Sequence, residues 1–450
     1  MDKRETDQSD SREAETQPGP ASRLDSLSRR DILKVAGLGA AGAGAAYAGF
    51  TLIDDEDKDE FDGSTGGFNW GQTFTDTSWV ANAGDALNVE TVTTLDPTGP
   101  GSITRATEKA TGQPTVVVFE VGGVIDIEGL ETLRVADSRT WLAGETAPDP
   151  GVTITGGRFR VSADRVVVSH LSFLCGDGVN DPENGDSMYS DSADVLFDHC
   201  TAMWGVDETA GTIDGADRNS FLNCIIAESL YDSIHPEGPH SRGFLANDEN
   251  TELCIMGTLF AHNHRRNPAT RSEAVLVNNY IYNPGELLIH FFHTNRDITA
   301  AGIAAETGPD TDPGAAVFQN GGTVYGEDIQ DVASPLRLYG KSVTRVGSPQ
   351  LVPSGLNLQT DVVPADEVRQ FVTTIAGSRP ANRPQVEADL IDNRLTPGHG
   401  IIDSQDAVGG YPSYSPTRRP LNLEKGKLLD QLRQHRRVVE TRVTPPGAAN

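Results

Sequence analysis

The sequence predicts an all-β solenoid, a right-handed parallel β-helix, on the strength of recurring strand-like runs, their spacing and the turns between them. Five short runs rich in apolar, β-branched and aromatic residues follow one another in mid-chain: 166–173, 195–202, 220–227, 254–261 and 275–282. Aligned on His170, His199, Asn223, Met256 and Asn278, they step by 29, 24, 33 and 22 residues, the scale of one solenoid coil. Polar Asp, Asn and Gly turns separate them, with no helical periodicity between. Coils stacked at strand spacing align side chains from one turn to the next, so Cys200 is expected above Cys224 and Asn223 near its counterparts. A β-sandwich would carry turn signals about every 8–12 residues, and these runs recur too sparsely for it.

Residues 115–127, 140–144 and 152–156 read as earlier strands of the same solenoid. A solenoid must cover its open ends, and Ser102–Thr111 is a short amphipathic helix suited to capping one. After Tyr282 the strand signal fades, and residues 295–450 are rich in Gly, Pro, Asp and Thr. Two helix-like pieces, Ala365–Ile375 and Leu423–Arg437, stand out there. The expected division is a β-helix over 70–345 and a C-terminal extension over 346–450. The extension packs on the outside of the helix, since it has too few apolar runs for a core of its own.

Residues 1–48 read as an export signal of the Tat type. A polar stretch leads to Arg29-Arg30, then an uncharged Ala/Gly-rich run over 35–53, with Ala46-Tyr47-Ala48 offering a small-x-small cleavage pattern. The mature chain is expected to start near Gly49, behind an acidic linker over 49–69. Retention of the run as a membrane anchor is the competing reading; its Ala and Gly content makes it a poor span. The Tat translocase is thus an expected partner, and the location is extracellular or at the cell surface.

The chain holds 36 Lys and Arg against 65 Asp and Glu, for a net charge of −29, and only seven of its basic residues are Lys. Phosphate backbones would repel it, which argues against nucleic acid as a partner. An acidic, Lys-poor surface fits a halophilic protein in which concentrated cations screen a self-repelling shell. The four Cys (175, 200, 224, 254) lack the CxxC spacing of a zinc site; buried free thiols are expected, with a Cys200–Cys224 disulfide as the alternative. A monomer is expected.

Several segments, in order, resemble the pectate lyases of polysaccharide lyase family 1: LDPTGPGSITRATEKA (95–110), VVVFEVGGVIDI (116–127), WLAGETAPDPGVTITG (141–156), FDHCTAMWGVDE (197–208), IIAESLYDSIHPEGPH (225–240) and HRRNPATR (264–271). IIDSQDAVGGYP (401–412) is similar to the ending of bacterial members. The resemblance implies a parallel β-helix that cleaves α-1,4-linked polygalacturonate by β-elimination, using Ca²⁺ and an Arg base. The C5 proton of a uronate is very weakly acidic, so the developing charge must be met by cations.

On the family pattern, Arg266, Pro268 and Arg271 match RxPxxR, which implies Arg266 as the base at C5 and Arg271 as a carboxylate clamp. Arg265 adds to the same basic cluster, which runs against an acidic composition. The resemblance implies Asp186 and Asp207 as Ca²⁺ ligands, with Asp177, Asn184 and Glu208 as further candidates. Gly211 falls near another family acid, so one ligand is missing or replaced by Glu208. His235 and His240 sit where many members place a substrate-binding Lys, and no Lys occurs between Lys109 and Lys341. His199 and Trp204 read as core residues. Two other readings stay open: a hydrolase of the polygalacturonase type, for which Gly398-His399-Gly400 is a decoy motif, and a non-catalytic surface-binding β-helix. An Arg base raises a physical difficulty, because guanidinium has a pKa above about 12.

Overall fold

The computed structural model describes residues 70–440 apart from 109–110, 131, 214, 248–250, 293–295 and 332–335. The expected Tat signal and acidic linker, 1–69, lie outside the described residues.

Each of the five runs forms two strands rather than one. Val166–Ser169 and Ser172–Leu174 flank His170, Val195–Asp198 and Thr201–Met203 flank His199, and Ser220–Leu222 and Ile225–Ala227 flank Asn223. Leu253–Met256 and Leu259–Ala261 flank Gly257, and Ala274–Val277 and Tyr280–Tyr282 flank Asn278. The break is a left-handed residue: φ is 56°, 52°, 52°, 63° and 52° at His170, His199, Asn223, Gly257 and Asn278. That region favours Gly and tolerates Asn and His, which explains the column's composition. Leu222 pairs with Met256, so the counterpart of Asn223 is Gly257, and the alignment on Met256 is off by one.

The first strands of successive pairs stack in parallel, through Val167, Leu196, Ser220, Cys254 and Val275. The second strands do the same through Ile154, Phe173, Ala202, Ile226, Phe260 and Ile281. A third parallel sheet of nine strands starts at Thr132–Val135 and passes through Arg158–Val161, Met188–Ser190, Glu208–Thr212, Arg242–Ala246 and Ala269–Thr270. Three parallel strands per coil make the architecture a parallel β-helix. The third sheet gave no sequence signal because strands such as Glu208–Thr212 are short and partly polar.

Between the sheets lies an apolar interior in which Phe159 stacks on Phe173 at 4.2 Å and Phe197 on Phe221 at 4.9 Å. Register places Cys200 beside Cys224, as expected, since Thr201 pairs with Ile225. Cys254 belongs to another stack of strands, beside Ser220 and Val275, and Cys175 follows the strand Ser172–Leu174, so the four Cys are not one ladder. All four are buried free thiols, and burial pushes each thiol upward, which leaves them unreactive.

The coils do not stop at Tyr282. Ile289–Phe291, Asp297–Glu306, Ala316–Gln319, Thr323–Asp331, Arg337–Tyr339 and Thr344–Arg345 continue the stacks. Asp297–Glu306 carries four Ala and a Gly, residues of low strand propensity, and its pairing with the preceding coil overrides that preference.

Ile103–Thr107 forms the short helix before the first coils, with Ser102 Oγ accepting the Arg105 N–H at 3.2 Å. The extension lies along the left-handed column. Asn278 exchanges two hydrogen bonds with the Val363 backbone (2.7 and 3.0 Å), the Gly377 N–H donates to Asn223 O (2.9 Å), and His170 Nδ1 lies 2.8 Å from Ser378 O. The helix Ala365–Ile375 has the expected bounds. The last helix runs Leu428–Glu440, later than expected, because Lys427 N–H closes a turn onto Glu424 O.

That last helix inserts Arg436 against Asp198 (2.6 Å) and Glu440 (2.7 Å), and Trp70 Nε1 donates to the same Asp198 carboxylate (2.7 Å). Burial acts to raise the Glu440 carboxyl, yet Arg436 and His199 hold it down at about 2. Its stabilising contribution is therefore complete above the ordinary Glu range and is lost as pH falls toward 2. Arg436→Ala leaves two buried carboxylates without their cation, for an expected loss of about 3–5 kcal/mol. Thermal unfolding followed by circular dichroism checks this, and an unchanged midpoint contradicts it.

Candidate functional site

The site lies on the third sheet, where successive coils put charged residues in register. Met188 pairs with Ala210 and Glu208 with Arg242, so Asp186, Glu208 and Arg242 occupy one column, and Arg265 bridges to Arg242 one coil on. Glu208 N–H donates to Asp186 Oδ1 at 3.1 Å. Oxygens of Asp186, Asp207 and Glu208 lie within 4.8 Å of one another. Burial and the neighbouring Asp207 push the Asp186 carboxyl up to about 7. A crowded, all-oxygen donor set of this kind suits a hard divalent cation, so these three residues fit Ca²⁺.

Arg266 meets this cluster from two coils beyond Glu208, its guanidinium paired with Glu208 and its side chain 14% exposed. Its backbone is left-handed (φ 65°), a conformation costing a non-glycine residue about 1–2 kcal/mol. The Phe244 N–H donating to Arg266 O at 2.7 Å helps to fix it. Burial, the largest effect, and the neighbouring Arg271 push the guanidinium down to about 10. Arg266 and Arg271 both lie against the Phe292 ring, their guanidinium carbons 5.6 and 4.9 Å from its centre. Arg271 also donates to Asn247 Oδ1 at 2.6 Å.

Other expected residues lie elsewhere or face inward. Asp177 accepts from Ser404 (2.7 Å) and Gln405 (2.5 Å) of the extension and belongs to no group of three ligating side chains among the described residues. Asn184 donates to Asp181 at 3.0 Å instead of facing the cluster. Arg265 is 45% exposed and pairs with Glu286. His235 and His240 stack at 3.4 Å beneath Asp207 and are 7% and 3% exposed, which leaves a substrate little surface to touch. A Cβ at Gly211 would meet Leu245 O at 2.6 Å, so no acid fits there and Glu208 provides the third carboxylate. His199 stacks on His170 at 4.9 Å, and buried Trp204 donates to Glu228 at 3.1 Å, both as core residues.

No family model matches the chain. It is 28% identical over 371 residues to "Probable pectate lyase C" of Emericella nidulans, covering 78% of this chain and 83% of that protein. It is 27% identical over 338 residues to the protein of the same name in Aspergillus flavus, covering 72% and 76%. The chain is thus similar, over most of its length, to proteins named as pectate lyases. Among solved structures, a pectate lyase bound to hexasaccharide superposes with a TM-score of 0.49 at 12% identity, over 73% of this chain and 100% of that one.

The resemblance to pectate lyases pointed to Arg266 and Arg271 but not to two residues that frame them. Arg242 Nη1 lies 3.4 Å from Asp207 and 3.9 Å from Glu208. Its only sequence signal is a basic residue in an acid-rich region. Phe292 is 40% exposed and carries no motif at all.

Proposed function

We propose that the protein is an exported pectate lyase that cleaves α-1,4-linked polygalacturonate by Ca²⁺-assisted β-elimination, with Arg266 as the base. The observation that carries this reading is Arg266 set against three clustered carboxylates, with Arg271 against the same Phe292 ring. Asp186, Asp207 and Glu208 hold Ca²⁺, which when bound neutralises the uronate carboxylate and stabilises negative charge at C5. The neutral form of Arg266 takes the C5 proton, the C5–H electrons form the C4–C5 double bond, and the C4–O4 bond breaks with its electron pair on O4, which takes a proton from water. Burial makes that neutral form accessible, since a guanidinium held at about 10 is far easier to deprotonate than an exposed one. Arg271 grips a substrate carboxylate with its planar fork.

Hydrolysis of the inverting kind places its two carboxyls about 6.5–9.5 Å apart to admit a water. The carboxylates here lie within 4.8 Å and face guanidinium groups, which favours elimination. Analysis of the products on polygalacturonate tests the reading. Elimination leaves an unsaturated end, whereas saturated products one water heavier indicate a hydrolase, and an uncut polymer indicates a binding protein.

The leader, the linker and the division at 345/346 belong to the same reading: a Tat-exported, monomeric, salt-adapted enzyme whose extension packs on its β-helix. Replacing Arg29 and Arg30 by Lys is expected to hold the chain in the cytoplasm. Immunodetection in culture medium and cells checks this, and unaltered export contradicts a Tat route. A polyanionic substrate and a −29 chain repel each other at long range, so the rate on low-methyl polygalacturonate is expected to rise with NaCl.

A further inference from the structure

We propose that His235, His240 and Asp207, with Glu237 at the mouth, form a binding site for a divalent transition-metal ion of the zinc class. The site adjoins the Asp186–Asp207–Glu208 set and shares Asp207 with it. His240 Nε2 lies 3.4 Å and His235 Nε2 3.7 Å from Asp207 Oδ1, and Glu237 Oε2 lies 3.7 Å from His240 Nε2. In a tetrahedral site with metal–ligand distances of about 2.0–2.1 Å, neighbouring donors stand roughly 3.3 Å apart. The His240–Asp207 pair matches that edge, and the two pairs at 3.7 Å reach it by a small inward movement on metal binding.

His240 adds a second observation: its Nδ1 lies 3.2 Å from Gly238 O, a carbonyl that accepts, so Nε2 is the ring atom left to meet Asp207. Nδ1–H donation to a carbonyl is also the usual support for a metal-bound histidine. Nε2, in a residue only 3% exposed, has no hydrogen-bond partner among the described residues and faces a carboxylate oxygen.

Arg242 is the competing cation, and it satisfies these acids poorly. Its guanidinium stands 3.4 Å from Asp207, 3.8 Å from Glu237 and 3.9 Å from Glu208, without one short contact. His235 Nδ1 now accepts the Glu237 N–H at 3.2 Å, so metal binding moves the ring proton to Nδ1 and turns that exposed N–H to water. Two imidazoles among the donors select zinc, cobalt or nickel over Ca²⁺, which takes oxygen ligands.

Cobalt(II) is the probe, titrated into the full-length protein without a histidine tag, in the absence of Ca²⁺ and substrate. Visible absorption and equilibrium dialysis are the readouts. One equivalent of Co²⁺ with visible absorption bands is expected. His240→Gln and His235→Gln should each lose the bands and weaken binding at least tenfold, with circular dichroism unchanged. Asp186→Asn, which touches only the neighbouring set, should keep them. Absence of stoichiometric Co²⁺ binding, or a folded His240→Gln protein that binds Co²⁺ like the wild type, overturns the site. Neither result bears on Ca²⁺-dependent elimination, which is assayed separately.

Discussion

Replacing Arg266 by alanine is expected to lower the elimination rate roughly a thousandfold, within the range of about 10²–10⁴ for a positioned general base. Substrate affinity should change far less, because Arg271 remains to hold the carboxylate. The Arg266 guanidinium meets Glu208 and Phe292 at the cluster rather than packing into the apolar interior, so the fold should survive its loss. Arg266→Lys should also be poor, since a compact ammonium cannot reproduce the planar fork. The wild-type rate should climb about tenfold per pH unit toward 10 and then level off, because the base acts deprotonated and burial holds this guanidinium at about 10. Steady-state rates of the variants, with circular dichroism as the control for folding, check the assignment. A folded Arg266→Ala protein with near-normal turnover contradicts it.

Asp207→Ala is expected to reduce activity at least tenfold at fixed Ca²⁺, and Asp186→Ala by a comparable factor. Asp207 is the most connected acid of the site, with oxygens near Arg242, His235 and His240 as well as Asp186 and Glu208. Losing one of three carboxylates weakens cation affinity without touching the base, so added Ca²⁺ should restore part of the rate by mass action. Titrating Ca²⁺ against initial rates separates the cases: a shifted midpoint with a recovering plateau is expected. A rate that stays low at every Ca²⁺ concentration assigns these acids a structural role instead.

What the sequence conveyed about the fold was its period, because each coil repeats an apolar pair of strands around a left-handed residue. It misread the pair as one strand, since hydrophobicity runs through His170 or Asn278 while only the backbone turns there. It also lost the coils after Tyr282, where Ala-rich Asp297–Glu306 pairs by packing rather than by propensity. At the site, the basic run 264–271 and the acids at 186, 207 and 208 were legible as motifs. Asp177 and Asn184 stood level with Glu208 as further candidates because proximity in sequence does not tell which way a loop side chain turns. Asp177 instead bonds Ser404 and Gln405, over two hundred positions away. Arg242 and Phe292 reach the site only through coil stacking.

Initial rates on low-methyl polygalacturonate, followed by the ultraviolet absorbance of the unsaturated product in molar NaCl, test the central claim most directly. Absorbance should rise steadily with Ca²⁺ present, stop after exhaustive chelation, and resume when Ca²⁺ is returned. Full activity after chelation, or chain cleavage without any absorbance, contradicts a Ca²⁺-dependent lyase.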